Sequence, residues 1–163
     1  MYTTEHEKNF VIKHLNKTQR LLEYGSGTST ELLAQYVNEI VSIEHNQEWA
    51  TFVQNKNIPN AKIVYAPTDL PYIEGTPDDG SIFQFRTYVE CPLKHEKFDV
   101  VFIDGRARVE CAKFAKNIIK NPDCDIFIHD FFIRQNSGEN YKEILKYLKI
   151  IDSVQEMCRL RII

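Results

Sequence analysis

Long apolar runs are missing from this sequence, and so is any excess of positive charge. No hydrophobic stretch approaches the roughly 18 residues that a membrane-spanning helix needs. No secretory leader precedes Thr4, so the expectation is a cytoplasmic protein with no membrane partner. The formal net charge is −3, which gives a nucleic-acid partner no support. Cys91, Cys111, Cys124 and Cys158 are scattered and form no C-x-x-C pair. That argues for reduced thiols rather than zinc or disulfides. Internal repeats and low-complexity segments are absent too. What is present is 163 residues, 43% of them hydrophobic, enough for a sizeable core. Residues 1–163 read as a single domain.

Against that background, residues 21–30 stand out: Leu-Leu-Glu-Tyr-Gly-Ser-Gly-Thr-Ser-Thr. An apolar lead-in ends on Glu23, two glycines follow at Gly25 and Gly27, and a helix start is expected at Ser29. An α/β domain builds its first strand–loop–helix turn around a nucleotide-like ligand in this way. Nineteen residues past Gly25, the run Ile40–Ile43 ends on Glu44. A carboxylate at that spacing suits a ribose diol. The features point to a cofactor carrying ribose and adenine. A dinucleotide fingerprint wants Gly or Ala where Thr30 stands. Glu23 would also repel a pyrophosphate but attract an ammonium group.

At these residues the sequence resembles the class I S-adenosylmethionine-dependent methyltransferases. Their acid-x-Gly-x-Gly motif is matched by Glu23, Gly25 and Gly27, and their acid ending strand two by Glu44. Ser42–Trp49 is similar to the ribose-binding segment of small-molecule members. The resemblance implies a Rossmann-like fold, a seven-stranded and mostly parallel sheet with helices on both faces, and an antiparallel last strand. It implies S-adenosylmethionine as cofactor, held by Glu23, Gly25, Ser26, Gly27, Thr28, Glu44, His45, Asp69 and Asp104. Trp49 is expected in the core rather than beside an adenine.

Periodicity supports the same architecture. Thr4-x-x-Glu7 predicts a capped helix to about His14, with Phe10, Val11 and Leu15 inward. Strands are predicted at 21–24, 40–44, 62–65, 98–103 and 125–128, and helices after Ser29, at about 47–55 and beginning with Arg106 and Arg108. Ser137-Gly138 should open another helix carrying Tyr141, Ile144, Leu145 and Leu148. Residues 150–154 and 157–163 read as a closing hairpin. Residues 67–97 break the rhythm with Pro67, Pro71, Pro77, Asp78-Asp79-Gly80 and Pro92, interleaved with Tyr72, Phe83, Phe85 and Tyr88. So long an irregular segment predicts a lid or substrate wall, with a short helix near 84–90.

Ligands of open parallel sheets bind beyond the carboxyl ends of the strands. Glu23, Glu44, Asp69, Asp104 and Asp130 should converge there. His129 and Asp104 are candidate bases for methyl transfer to a hydroxyl, with Asp130 beside them. Arg106 and Arg108 suit the carboxylate or phosphate of an acidic acceptor, and Tyr88 would join them. A rival reading pairs one arginine with Asp104 or Asp130. Asp104 and Asp130 also fall where cation-dependent O-methyltransferases place ligands. Phe131 stands where those enzymes carry another acid or an amide, so a divalent cation is disfavoured. Phe98–Cys111 and Ile126–Phe131 resemble sugar-directed methyltransferases, including the glucuronoxylan O-methyltransferases, which implies a sugar or nucleotide-sugar acceptor. The alternatives are another small molecule, a protein side chain, or a non-catalytic cofactor-binding subunit.

Overall fold

The computed structural model describes residues 3–73, 79–136 and 140–163. The order is α1 (Glu5–Ile12), β1 (Arg20–Tyr24), α2 (Thr28–Ala34), β2 (Glu39–Glu44), α3 (Gln47–Gln54), β3 (Ala61–Tyr65) and α4 (Ile82–Glu90). Then come β4 (Val100–Ile103), α5 (Arg108–Phe114), β5 (Asp125–Ile128), α6 (Phe131–Asn136), β6 (Leu148–Val154) and β7 (Met157–Ile162). The Thr4–Glu7 capping box forms as expected: Thr4 N–H donates to the Glu7 carboxylate at 2.8 Å, and Glu7 N–H to the Thr4 hydroxyl at 3.3 Å.

The seven strands lie in the order β3-β2-β1-β4-β5-β7-β6. β1, β2, β3, β4 and β5 are parallel, and β7 runs antiparallel to both β5 and β6. The chain goes from β1 to β2 on one side and returns to β4 on the other. The switch point therefore falls between β1 and β4, where this kind of sheet leaves a crevice. Register keeps the strand ends level: Tyr24 stands opposite Ile43 and Ile103, and Ile103 opposite Ile128. The loops after β1, β2, β4 and β5 consequently leave the sheet at one height.

Alternate strand residues feed two cores. Leu22, Tyr24, Val101, Ile103, Ile126 and Ile128 pack with Phe85, Tyr88, Cys111 and Phe131. Leu21, Ile40, Val100, Phe102 and Phe127 pack with Phe10, Val11, Leu33 and Val37. Helices thus cover both faces, and β4 is buried along its whole length. Each such aliphatic or aromatic side chain contributes about 1.5–3 kcal/mol by leaving water.

Some predicted elements move. Phe98 precedes β4 and bridges to Ile119 instead of joining the strand. The helix expected from Ser137-Gly138 to Leu148 is a 3-10 turn over Tyr141–Lys146, and Leu148 already opens β6. Ser137 and Gly138 themselves lie outside the described residues, as do Pro77 and Asp78. The helix at Phe131–Asn136 went unpredicted. The short helix expected near 84–90 is α4, and the segment read as a lid or substrate wall also contributes core: Phe85, Tyr88 and Val89, at helical i, i+3, i+4 spacing, are all buried.

Candidate active site

The loop after β1 is built on two carboxylates. Gly25 has φ +96°, and an added Cβ there would lie 2.5 Å from the Gly105 Cα, so only glycine fits. Gly27 N–H donates to the Thr30 hydroxyl at 2.9 Å, and that hydroxyl donates to Glu23 at 2.5 Å. The Ser29 and Ser42 hydroxyls donate to the same carboxylate at 2.6 and 2.5 Å. Glu23 is fully buried beneath the loop. Burial pushes its pKa up to about 7, against the three hydroxyls that favour the charged form. Glu23, expected to face an ammonium group, is a brace that does not line the cleft: its oxygens accept from the hydroxyls of Ser29 and Thr30 on α2 and of Ser42 on β2. Thr30, which broke the dinucleotide pattern, is the middle link of that brace.

Glu44 ends β2 at the floor of a cleft and is nearly buried. One oxygen accepts from Ser26 N–H at 2.9 Å, and the other from His45 and Asn46 N–H at 2.9 Å each. His45 Nδ1 lies 3.0 Å from Glu44, and its ring meets Phe85 and Tyr88 edge-on. Trp49 is not core. It is 44% exposed, stacks on Phe52 with centroids 5.1 Å apart, and donates its indole N–H to the Ser26 carbonyl. Helix α3 buries Ala50 and Val53, which turns Trp49 to the cleft.

The ends of β4 and β5 carry a different chemistry. Arg108 is buried and spent within the fold. Its guanidinium donates to the carbonyls of Gly105, His129 and Asp104 and lies 3.2 Å from both Asp104 Oδ1 and Asp130 Oδ2. Asp79, from the segment before α4, accepts from Arg108 N–H at 2.7 Å and faces Arg134 at 3.4 Å. Arg108 lines the cleft, but its guanidinium is engaged by Asp104 and Asp130, the pairing that the rival sequence reading gave one arginine. Arg106 lines the cleft and stands over the Tyr72 ring.

His129 is 1% exposed and lies behind Asp104 rather than in the cleft. Its Nδ1 is 3.0 Å from Asp104 Oδ1 and 3.5 Å from Asp130, and its Nε2 is 3.5 Å from Glu7 on α1. Burial opposes its charge, but the hydrogen bond to Asp104 and the flanking carboxylates outweigh it and raise the pKa. Asp104 shifts the other way: burial opposes ionisation, and Arg108 with His129 pulls its pKa down. His129, expected as the base, does not line the cleft; Asp104 stands between its ring and the space an acceptor would fill. Asp104 and Asp130 remain at the cleft.

Asp104, His129 and Asp130 bring ligand atoms within 4.8 Å of one another, a grouping that can hold a cation. The Arg108 guanidinium already supplies that charge to both carboxylates, so the donor set does not fit a divalent ion. Two other expected residues lie elsewhere. Asp69 is exposed and fastens the loop after β3 to Thr87 of α4, accepting from its N–H and hydroxyl at 2.8 and 2.6 Å. Tyr88 is fully buried, 5.3 Å from the Tyr24 ring, and packs under Gly105.

Between these groups runs a continuous cleft of about 1230 Å³. Gly25, Ser26, Gly27, Thr28, Glu44 and Trp49 line one end, and Asp104, Arg106, Asp130 and Arg134 the other. Helix α1 forms a further wall through Glu5, Lys8, Asn9 and Ile12. That wall was missed from sequence, as were Asp79 and Arg134. The one signal was Glu7, an acid at i to the apolar pair Phe10 and Val11.

No protein-family model matches the sequence, and no curated protein does. Solved structures are similar over the whole chain. A methyltransferase-like protein from Silicibacter pomeroyi superposes with a TM-score of 0.74 at 22% identity, over 99% of this chain and 88% of that one. A Streptococcus mutans protein in complex with S-adenosylhomocysteine gives 0.64 at 10% identity, over 100% of both chains. A TehB-like S-adenosylmethionine-dependent methyltransferase from Corynebacterium glutamicum gives 0.62 at 10%, over 96% of this chain and 86% of that one. Together with the strand order, these likenesses identify the architecture as the Rossmann-like methyltransferase fold.

Proposed function

We propose that the protein is an S-adenosylmethionine-dependent methyltransferase acting on a hydroxyl of a small acidic acceptor, a sugar or nucleotide sugar. The observation that carries this reading is the cleft. At about 1230 Å³ it exceeds the ~300–1,000 Å³ usual for one small ligand, and its two ends differ in chemistry. The sugar assignment draws on the sequence resemblance of Phe98–Cys111 and Ile126–Phe131, to which Arg106 adds a cation at the acceptor end.

The residues present fit the cofactor. Gly27 leaves room where a Cβ would project between Ser29 and Trp49. Glu44 offers about four acceptor positions, of which three take backbone N–H groups, leaving one for a ribose hydroxyl. The backbone of 25–28 would hold the amino-acid end, and Trp49 the adenine side. When bound, S-adenosylmethionine supplies a methyl group activated on a sulfonium.

The protein's own contribution is orientation. Asp104 Oδ1 is committed to His129 and Arg108, while Oδ2 takes no hydrogen bond from any described residue. Its side chain is 21% exposed, toward the cleft. Oδ2 can accept the acceptor's O–H hydrogen bond and aim an oxygen lone pair along the line of transfer. The hydroxyl becomes strongly acidic only as the new C–O bond forms, so a carboxylate of lowered pKa still receives the proton. Arg106 would hold the acceptor's anionic group.

Calorimetry with S-adenosylhomocysteine and NAD, followed by turnover on neutral sugars and uronic acids, tests this reading. S-adenosylhomocysteine should bind tighter, and Arg106→Gln should raise KM for the acids selectively. Tighter binding of NAD would sink the cofactor assignment. Equal KM effects on neutral and acidic sugars would remove the anionic acceptor.

A further inference from the structure

Glu7 occupies a position that α1 would ordinarily give to an apolar residue. Glu7, Phe10 and Val11 share one buried face, and Glu7 is 2% exposed. A carboxylate enclosed in this way is costly unless every oxygen is engaged. Oε1 accepts from Glu156 N–H, in the turn between β6 and β7, at 2.9 Å. Oε2 accepts from the Thr4 N–H and hydroxyl and lies 3.5 Å from His129 Nε2. An ordinary capping box needs only the Thr4 contacts and sits at the surface. The inward turn and the two remote partners call for another explanation.

The far side of His129 supplies it. Nδ1 meets Asp104 Oδ1 at 3.0 Å, so Glu7, His129 and Asp104 form a line of carboxylate, imidazole and carboxylate. The line runs from α1 through the end of β5 to the end of β4. The groups facing the imidazole are Glu7 from α1, Asp104 from the β4 loop, Asp130 next in the chain and Arg108 from α5. Three carboxylates against one guanidinium favour an imidazolium. Glu7 itself is kept ionised, because hydrogen bonds from Thr4 and Glu156 and the His129 charge overcome its burial. Meanwhile Glu5 and Lys8, its neighbours on α1, line the cleft.

We infer that Glu7 is a positioning residue for Asp104: acting through His129, it commits one Asp104 oxygen to the fold, presents the other to the acceptor, and makes that presentation depend on the seating of α1. The role of Asp104 toward an acceptor rests on the proposed function. The coupling of the three side chains does not.

The test separates the two. In protein labelled with ¹⁵N-histidine, the ring nitrogens of His129 are titrated in the parent and in Glu7→Gln, with no cofactor or acceptor present. Glu7→Gln keeps the capping box but removes the charge. The midpoint should lie above the ordinary histidine range in the parent and fall by about one pH unit in Glu7→Gln. Even water-like screening gives that shift for one charge at this distance. On an accepted substrate, Glu7→Gln should lower kcat by about 10- to 100-fold, the range for a displaced reacting group. S-adenosylhomocysteine affinity should stay within about twofold of the parent, and the pH profile of kcat should move with the His129 midpoint. An unchanged midpoint overturns the coupling. A shifted midpoint with unchanged kcat overturns the positioning role. Should the parent turn over no acceptor, the proposed function fails while the titration still decides whether Glu7 governs His129.

Discussion

Two carboxylates on neighbouring strands, Glu23 on β1 and Asp104 just past β4, shift in opposite directions although both are enclosed. Around Glu23 the partners are hydroxyls, those of Ser29, Thr30 and Ser42. Around Asp104 they are a guanidinium and the His129 imidazole, whose pKa is raised. Hydroxyls soften the cost of burying a charge without cancelling it, so Glu23 rises to about 7. Formal cations do cancel it, so Asp104 falls. One end of the cleft thus rests on a carboxylate braced by hydroxyls, and the other on a carboxylate held by a guanidinium and an imidazole. Environments that push paired acids apart in pKa are a known way of assigning different work to like residues.

The hardest blow to this contrast should come from Arg108→Met. It leaves Asp104, Asp130 and Asp79 facing one another without their shared cation. Breaking a buried ion pair from one side costs about 3–5 kcal/mol. Urea unfolding at neutral pH reads the loss. A drop below ~1 kcal/mol would show that the cluster is looser than its geometry.

Next in size is the pH dependence set by Glu23. The folded protein holds a proton there between about 4.5 and about 7, where the unfolded chain has released it. Stability therefore falls as pH rises through that window and levels off above it. The whole window is worth about 3 kcal/mol. Glu23→Gln does not titrate, so it should gain on the parent across the window and run parallel to it beyond. A difference that stays constant with pH, in urea unfolding, would mean that Glu23 carries no unfavourable charge.

A smaller effect is expected from Gly25→Ala. The left-handed φ and the contact with Gly105 should cost about 1–3 kcal/mol and disable the loop. Calorimetry should find S-adenosylhomocysteine binding lost while the fold persists at room temperature. The smallest change belongs to Asp69→Ala, since Asp69 only ties a surface loop to α4. Affinity should remain within about twofold, and a larger loss would return Asp69 to the cofactor.

The hydroxyl-lined end was legible in the sequence because its parts lie close together. Glu23, Gly25, Gly27 and Thr30 fall within eight positions, and Glu44 stands at a spacing fixed by strand and helix lengths. The charged end was only half legible. His129-Asp130 could be placed at a strand end, but not the direction each side chain takes. Asp130 adopts φ +57°, and that turn sends its carboxylate to the cleft while His129 stays behind it. Glu7, Asp79 and Arg134 come from three distant stretches, and each alone resembles a solvated charge. In the 67–97 segment the short helix near 84–90 was legible, but the surrounding prolines and the Asp-Gly pair did not reveal that its Phe85, Tyr88 and Val89 stripe is core.

The clasp of Glu7 on the β6–β7 turn also bears on the order of folding. Its bond to Glu156 spans 149 residues, and the Thr4 bond to Gln155 spans 151. The Glu23 hydroxyl contacts close loops of 6, 7 and 19 residues. Distant closures are entropically dearer and form late. The glycine loop can take shape with β1 and β2 alone, whereas α1 cannot dock until the last hairpin has paired with β5. A folding chain therefore sets the glycine loop before the Asp104 end of the cleft is closed, and the helical wall is the last part of the cleft to set.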